Sequence, residues 1–338
     1  MRYESNPPNP FIPALRERLE PASAVTTQVF EEQVQSILSP NNSPDLPFRW
    51  SLNPYRGCFH ACAYCYARPS HEYWGFGSGT DFESKLVAKV NAPEKLQDTF
   101  LKPSWKGDLI VFSGNTDPYQ PLESRYNLTR ACLNICATFQ NPVGLITKSA
   151  LILRDLDVLQ ELHHRAWVRV YFSIPFASDD TARKVEPQAP SITKRFETLE
   201  QLAKAGISTA VSIAPIIPGL NEHDIPAILK QARESGAQHA TYMLLRLNDN
   251  VEPVFLERMT QQYPERIHKI VSRLKSMRQG QVGEKAFHQR HTGQGQTWEM
   301  ISRLFDTAYR KQGFPESPDL PIPDTFCRPG PIQLSLFR

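Results

Sequence analysis

Three cysteines fall within eight positions, Cys58-Phe59-His60-Ala61-Cys62-Ala63-Tyr64-Cys65, in the spacing Cys-x3-Cys-x2-Cys. Thiolates are the usual ligands of iron–sulfur clusters, and three on one tight loop can hold three irons of a four-iron cluster. The fourth iron is then open to a small molecule. Zinc is the competing reading: a closed structural site needs a fourth ligand, and His60 inside the loop could serve. The odd number of thiols argues against a disulfide.

The stretch around these cysteines runs Asn53-Pro54-Tyr55-Arg56-Gly57-Cys58 and closes Tyr64-Cys65-Tyr66-Ala67-Arg68-Pro69. It resembles the signature of the radical S-adenosylmethionine (radical SAM) superfamily, and within it the spore-photoproduct-lyase-like branch, the DNA repair photolyase-like proteins of bacteria. The resemblance covers roughly residues 42–245. It implies a [4Fe–4S] cluster on Cys58, Cys62 and Cys65 whose open iron chelates S-adenosylmethionine. An electron from that cluster would split the sulfonium into methionine and a 5′-deoxyadenosyl radical that abstracts hydrogen, so the cofactors carry the hard chemistry and the protein supplies orientation. Carried over by position, the resemblance implies that Thr116, with Asp117 after it, meets the amino end of S-adenosylmethionine. It also implies that Lys148 pairs with the carboxylate and that Ser173 contacts the ribose. Tyr64 and Tyr66 flank the last cysteine as a tyrosine pair does in the lyases, where it positions substrate or relays a radical. Read without the resemblance, Lys148 is a surface lysine and Ser173 a strand-end serine. One departure stands out: the lyases carry a hydrogen-donating cysteine just before the Thr/Ser-Asp step, and here Gly114 and Asn115 occupy that region. Cys132 and Cys136, four apart on a helical stretch, read as core, and Cys327 lies in the tail.

These residues need a scaffold, and the chain supplies alternating strand and helix patterns. Strands are expected at 48–52, 82–90, 108–113, 143–148, 167–174, 208–217 and 239–245. Helices are expected at 92–101 with Asn91 as N-cap, at 123–140, 152–164 and 191–205, and at 225–234. Such alternation implies parallel βαβ units. Together with the resemblance it gives the expected fold: an α/β, incomplete (β/α)6 radical SAM barrel with the cysteine loop after its first strand. Chemistry in such barrels sits at the C-terminal ends of the strands. Residues 68–77, rich in aromatics and glycine, read as a structured lid without a helix, with His71 and Trp74 either lining the pocket or packing within the loop.

Four regions follow. Residues 1–48 carry eight prolines and read as an extended arm with short helices near 14–19 and 30–38. Residues 49–250 are the barrel. Residues 251–311 are a helical extension, and its part from 265 to 311 holds ten Lys/Arg against four Asp/Glu. Such a basic face can follow a phosphate backbone or be merely solvated. Residues 312–338 are a proline-rich tail, read as a linker over 312–332 and ending Gln333-Leu334-Ser335-Leu336-Phe337-Arg338. The last pentapeptide before the arginine resembles the one with which bacterial polymerases and repair factors bind the sliding clamp. Alternatively, its apolar residues dock on the protein's own core.

The net charge of +3 is too small alone to argue for nucleic acid. No run of about 18 apolar residues suggests a membrane span, and residues 1–20 lack the apolar stretch of a secretory leader. Unpaired thiols and a cluster suit a reducing cytoplasm. The expected function is therefore a cytoplasmic radical SAM enzyme acting on nucleic acid, in repair or base modification, supplied by an electron donor and recruited to DNA through the clamp. The alternatives are a protein or small-molecule substrate, or a non-catalytic iron–sulfur module associated with DNA.

Overall fold

In the computed structural model the alternating pattern resolves into strands β1 (Gln28–Glu32), β2 (Leu38–Pro40), β3 (Trp50–Leu52), β4 (Tyr55–Arg56), β5 (Lys85–Lys89), β6 (Ile110–Phe112), β7 (Val143–Thr147), β8 (Val168–Ser173), β9 (Ser208–Ile216) and β10 (His239–Leu244). The structure describes residues 6–7, 9–11, 26–284, 286–316 and 322–329. β3 and β6 to β10 form six parallel strands in unbroken sequential order. The crossovers carry the helices Ala92–Leu101, Leu128–Thr138, Leu156–Arg165, Ile192–Lys204 and Ile225–Glu234. β2 pairs antiparallel on the free edge of β3, so the sheet stays open as the incomplete (β/α)6 barrel the sequence suggested. Ile110, Val111 and Phe112 of β6 are all buried, as expected of a parallel strand covered on both faces. Helix residues such as Leu159, Leu162, Leu199, Leu202, Ile228 and Leu229 are fully buried in the same core.

Several local expectations are corrected. No helix forms at 30–38. β1 instead pairs in parallel with β5, which also carries β4, in a small second sheet, and β2 joins the barrel edge. Pairing partners far along the chain override local propensity here. Asn91 makes no capping bond. Its amide clasps the backbone of Val34 from both sides, accepting from the N–H and donating to the carbonyl, each at 2.9 Å. The 82–90 segment opens as a helix, Thr80–Ser84, before turning into β5. The 123–140 helix breaks at Asn127, whose φ is 53°. There the buried Glu123 carboxylate accepts from the N–H groups of Thr129 (2.8 Å) and Arg130 (3.2 Å), starting a new helix. Residues Arg68–Trp74 form a 3-10 helix where a lid without helix was expected. The helix expected near 14–19 lies outside the described residues.

Beyond the barrel come helices Val251–Gln262, Ile267–Met277 and Gly295–Lys311. The last packs on Ile225–Glu234, and its Phe305 stacks on Tyr242 of β10 at 4.1 Å. The tail is not a free linker where it is described. Cys327 N–H donates to the Phe139 carbonyl (2.9 Å) and Phe326 packs on Phe100 and Phe139. The Arg328 guanidinium donates to the carbonyls of Phe100, Lys102 and Trp105 at 2.9, 2.6 and 2.8 Å. These partners precede β6 and β7, so the tail docks at the N-terminal end of the barrel, opposite the cysteine loop. The Gln333–Phe337 peptide lies outside the described residues. Among the described residues no helix is long and apolar enough to cross a membrane.

Candidate active site

The cysteine loop leaves β3 and β4 and is held by its own carbonyls. Gly57, at φ 69°, sits under His71 and the Phe82 carbonyl, where a Cβ would come within 2.8 and 2.7 Å; only glycine fits. Its carbonyl accepts from the Thr116 hydroxyl (2.5 Å) and the Gln120 amide (3.1 Å). The His60 carbonyl accepts from Gln188 N–H (3.3 Å). The Ala61 carbonyl accepts from Arg258 (2.6 Å), and that of Cys62 from both Nε and Nη2 of Arg68. Arg68 and Arg258 both clamp the buried carboxylate of Glu83. This layer sets the backbone of the loop independently of anything bound to its thiols.

Cys58 and Cys62 are buried and Cys65 is partly so; all are free thiols within electrostatic reach of one another. Burial pushes the Cys62 thiol up to about 12 and raises that of Cys58 as well. Thiolates form here only against a cation, so binding iron must expel the protons. The donor set fits a four-iron cluster better than zinc. His60 turns its Nδ1 to Asp117, 3.5 Å from Oδ2. Among the described residues no three His, Cys, Asp or Glu side chains converge tightly enough for a single ion. Thiolates bound to different irons of a cluster stand wider apart than ligands of one ion.

The other sequence-derived residues gather at the ends of the neighbouring strands. Thr116, besides holding Gly57, accepts from Gln120 at 2.9 Å. Asp117 accepts from the Thr147 hydroxyl (2.7 Å) and from the N–H groups of Tyr119 (2.9 Å) and Lys148 (2.8 Å). In this arrangement both residues hold protein partners. Ser173 ends β8; its side chain lies 3.4 Å from the Ala214 carbonyl and its own carbonyl accepts from Arg195 at 2.9 Å. Lys148 Nζ lies 5.8 Å from the ring centre of Tyr64 and 3.8 Å from Glu186. Burial alone would lower its pKa, but Cys62, as a thiolate, and the Glu186 carboxylate outweigh that and raise it. Tyr64 is buried, whereas Tyr66 is 52% exposed. Tyr66 feels the charges of Lys148, after β7, and of Arg246, after β10.

Sequence reasoning missed Glu186 and Arg195. Both are fully buried, with Nη2 of Arg195 donating to Glu186 at 2.5 Å. Glu186 also accepts from the Tyr64 hydroxyl. Against the cost of burial, Arg195 and Lys148 hold the Glu186 carboxyl below its ordinary range. No motif announces this pair, because each partner sits more than a hundred residues from the cysteines. Of the two readings of His71, the structure supports packing: it is 1% exposed, its Nε2 lies 2.8 Å from the Lys85 carbonyl, and it packs on Phe76 and Phe82. Cys132 and Cys136 are core residues and Cys327 is at the far end of the barrel. Among the described residues only Cys58, Cys62 and Cys65 bring thiols to this face.

A half-barrel of six parallel strands with three thiols in a braced loop at its C-terminal mouth is the architecture of a radical SAM enzyme. The sequence model of the Radical SAM superfamily matches residues 52–232, and the chain belongs to that superfamily. Its cofactors are accordingly a [4Fe–4S] cluster and S-adenosylmethionine. An uncharacterised protein of Mycobacterium tuberculosis is 34% identical over 238 residues, 70% of this chain and 69% of that one. A radical SAM Nα-GlyT isomerase of Pseudomonas phage M6 is 24% identical over 217 residues, 63% of this chain and 43% of that one. The fold is similar to that of spore photoproduct lyase solved with a dinucleoside spore photoproduct, with TM-score 0.61 and 14% identity, over 84% of this chain and 79% of the lyase.

Proposed function

We propose that the enzyme performs radical chemistry on nucleic acid, in repair or base modification, in a reducing cytoplasm. Cys58, Cys62 and Cys65 hold the cluster, Lys148 receives the carboxylate of S-adenosylmethionine and Ser173 its ribose. Thr116 and Asp117 tie the cysteine loop to the ends of β6 and β7 and so place the amino end. When bound, and given one electron from a donor, the cluster and S-adenosylmethionine would supply hydrogen-abstracting radical chemistry. The chain's own part is to orient and to exclude water: Tyr64 is buried against Glu186, while Tyr66 faces the substrate side.

The observation that carries this reading is Tyr66, a half-exposed ring next to the last cysteine that lies within electrostatic reach of Lys148 and Arg246. An aromatic face beside positive charge suits a base with its phosphate. A base inside a duplex is out of reach, so the substrate would be single-stranded or flipped out. The similar fold solved with a dinucleoside photoproduct supports the same substrate class. Among the described residues no fourth thiol reaches this face, and Gly114 and Asn115 stand where the lyases carry their hydrogen-donating cysteine. The Gln333–Phe337 peptide is proposed as a sliding-clamp ligand. The test is the rate of 5′-deoxyadenosine formation by the reduced, reconstituted enzyme with single-stranded DNA, irradiated DNA or no DNA. Stimulation by DNA supports the reading; a rate indifferent to every nucleic acid refutes it.

A further inference from the structure

Behind Tyr66 the end of β10 runs into a layer of cations. Arg246 stands two residues beyond the strand, half-buried, and its Nε has no hydrogen-bond partner among the described residues. Arg278 is 4% exposed and donates to neutral acceptors, the carbonyls of Val282 (2.7 Å) and Leu245 (2.6 Å), leaving its Nε without a partner. His291 is held alongside β10 by its carbonyl, which accepts from Leu244 N–H at 2.9 Å, and its buried Nε2 also lacks a partner. Arg290 completes the layer, with Nε donating to Asp45 at 2.5 Å. The carboxylates acting on this group are Asp45, already engaged by Arg290, with Asp249 and Glu284.

A guanidinium cannot shed its proton to escape burial. Orphaned donors in a half-buried layer are therefore expensive unless water or an anion completes them, and an anion also meets the charge. His291 is held neutral by burial and by Arg290, Arg246 and Arg278, which leaves it able to donate one hydrogen bond without adding charge. The setting says which anion. Phe287 is 52% exposed with the Arg290 guanidinium 4.8 Å from its ring centre, and Tyr66 lies within reach of the Arg246 charge. Open ring faces beside cationic donors match the alternation of base and phosphate along a strand.

We propose that Arg246 and His291 form a phosphodiester-binding site at the barrel mouth, with Phe287 and Tyr66 offering faces on which the adjoining bases stack. This rests on the nucleic-acid reading above and adds to it the residues that seat the strand. The site is built by β10 and the loop between helices Ile267–Met277 and Gly295–Lys311, not by the exposed face of the basic helices.

The test uses the reconstituted full chain, kept anaerobic, and a short fluorescent oligothymidylate followed by anisotropy over a salt series. Arg246→Gln should weaken binding about tenfold, the loss expected for one charge-assisted hydrogen bond. It should also flatten the dependence of log K on log salt by about 0.7, one single-strand phosphate contact. Arg246→Lys should restore the slope but not the full affinity. His291→Gln gives an independent reading should the first variant fold poorly, and Arg165→Gln, on an exposed i,i+4 pair, should change nothing. Oligonucleotide binding that both Arg246→Gln and His291→Gln retain, with unchanged slope, overturns the site and leaves the nucleic-acid reading standing. Thermal stabilisation of the wild type by inorganic phosphate, lost in Arg246→Gln, without any oligonucleotide binding, keeps the anion site and overturns that reading. No response of the wild type to either probe overturns both.

Discussion

The hydroxyl of Tyr64, one residue before Cys65, donates to the carboxylate of Glu186, which follows the helix Asp179–Val185. Through that carboxylate the cysteine loop is joined to Arg195 and to Lys148. A single buried anion thus fixes a tyrosine beside the cluster loop and the lysine proposed to receive the carboxylate of S-adenosylmethionine. The loop and the proposed cofactor site are parts of one charge network.

Glu186→Gln should be strongly destabilising. It leaves Arg195 and Lys148 buried without their counter-charge, a change that costs about 3–5 kcal/mol in comparable buried pairs. Chemical denaturation of the purified protein measures it. Glu186→Asp should recover part of the loss, because the charge returns even though the reach is shorter. A Gln variant as stable as the wild type contradicts the network.

Arg258 lies in a helix beyond the barrel yet holds the carbonyl of Ala61 inside the cysteine loop. Its Nη2 contacts both oxygens of Glu83 at 2.8 and 2.9 Å. Arg258→Gln should reduce iron and sulfide per chain after reconstitution, since the loop backbone at Ala61, φ 56°, loses its brace. Arg258→Lys should not rescue it, because a lysine cannot span both acceptors. Full iron content in the Gln variant would show that the loop holds its shape unaided.

His71 gives a pH dependence. Burial, opposed by its hydrogen bond to Lys85, lowers its pKa from 6.5 to about 4. The unfolded state therefore takes up the proton first, and the stability that depends on neutral His71 is complete above about pH 6.5 and is lost as pH falls towards 4. The full contribution is about 3 kcal/mol, and about 2 kcal/mol of it should vanish between pH ~7 and pH ~5. His71→Gln keeps a donor for the Lys85 carbonyl without titrating in that window. Its urea midpoint should fall less steeply with acid than that of the wild type; equal slopes would remove His71 from the account.

Deleting residues 333–337 should abolish co-purification with the sliding clamp while leaving the melting temperature unchanged. Arg328, the last anchor among the described residues, binds carbonyls at the N-terminal end of the barrel. Retained clamp binding, or none in the full chain, removes the clamp from the partners.

The sequence showed the parts of this protein that are local. Cys58, Cys62 and Cys65 share one loop, and the strand–helix rhythm from residue 50 onwards depends on short-range periodicity, so both could be read directly. What stayed hidden depends on contacts across the chain. The stretch 30–38 reads as helix because the strand partners of the segments at its two ends, β5 for β1 and β3 for β2, lie elsewhere. Asn91 carries a capping residue's chemistry but spends it on Val34. Glu186 and Arg195 look like ordinary charges on a helical stretch until folding buries them together, and Arg246 is one arginine among many until β10 places it at the mouth. The Pro-rich tail resembled a linker because nothing local reveals that Arg328 will satisfy three carbonyls.

The most direct test of the central claim follows hydrogen. The reduced enzyme, loaded with its cluster and S-adenosylmethionine, is given single-stranded DNA deuterated in bases and sugars, intact or irradiated, and the 5′-deoxyadenosine is examined by mass spectrometry. The account predicts deuterium in the 5′-deoxyadenosine, lost together with product formation in Cys62→Ala. Unlabelled 5′-deoxyadenosine, formed equally with and without every DNA offered, would contradict it and place the substrate outside nucleic acid.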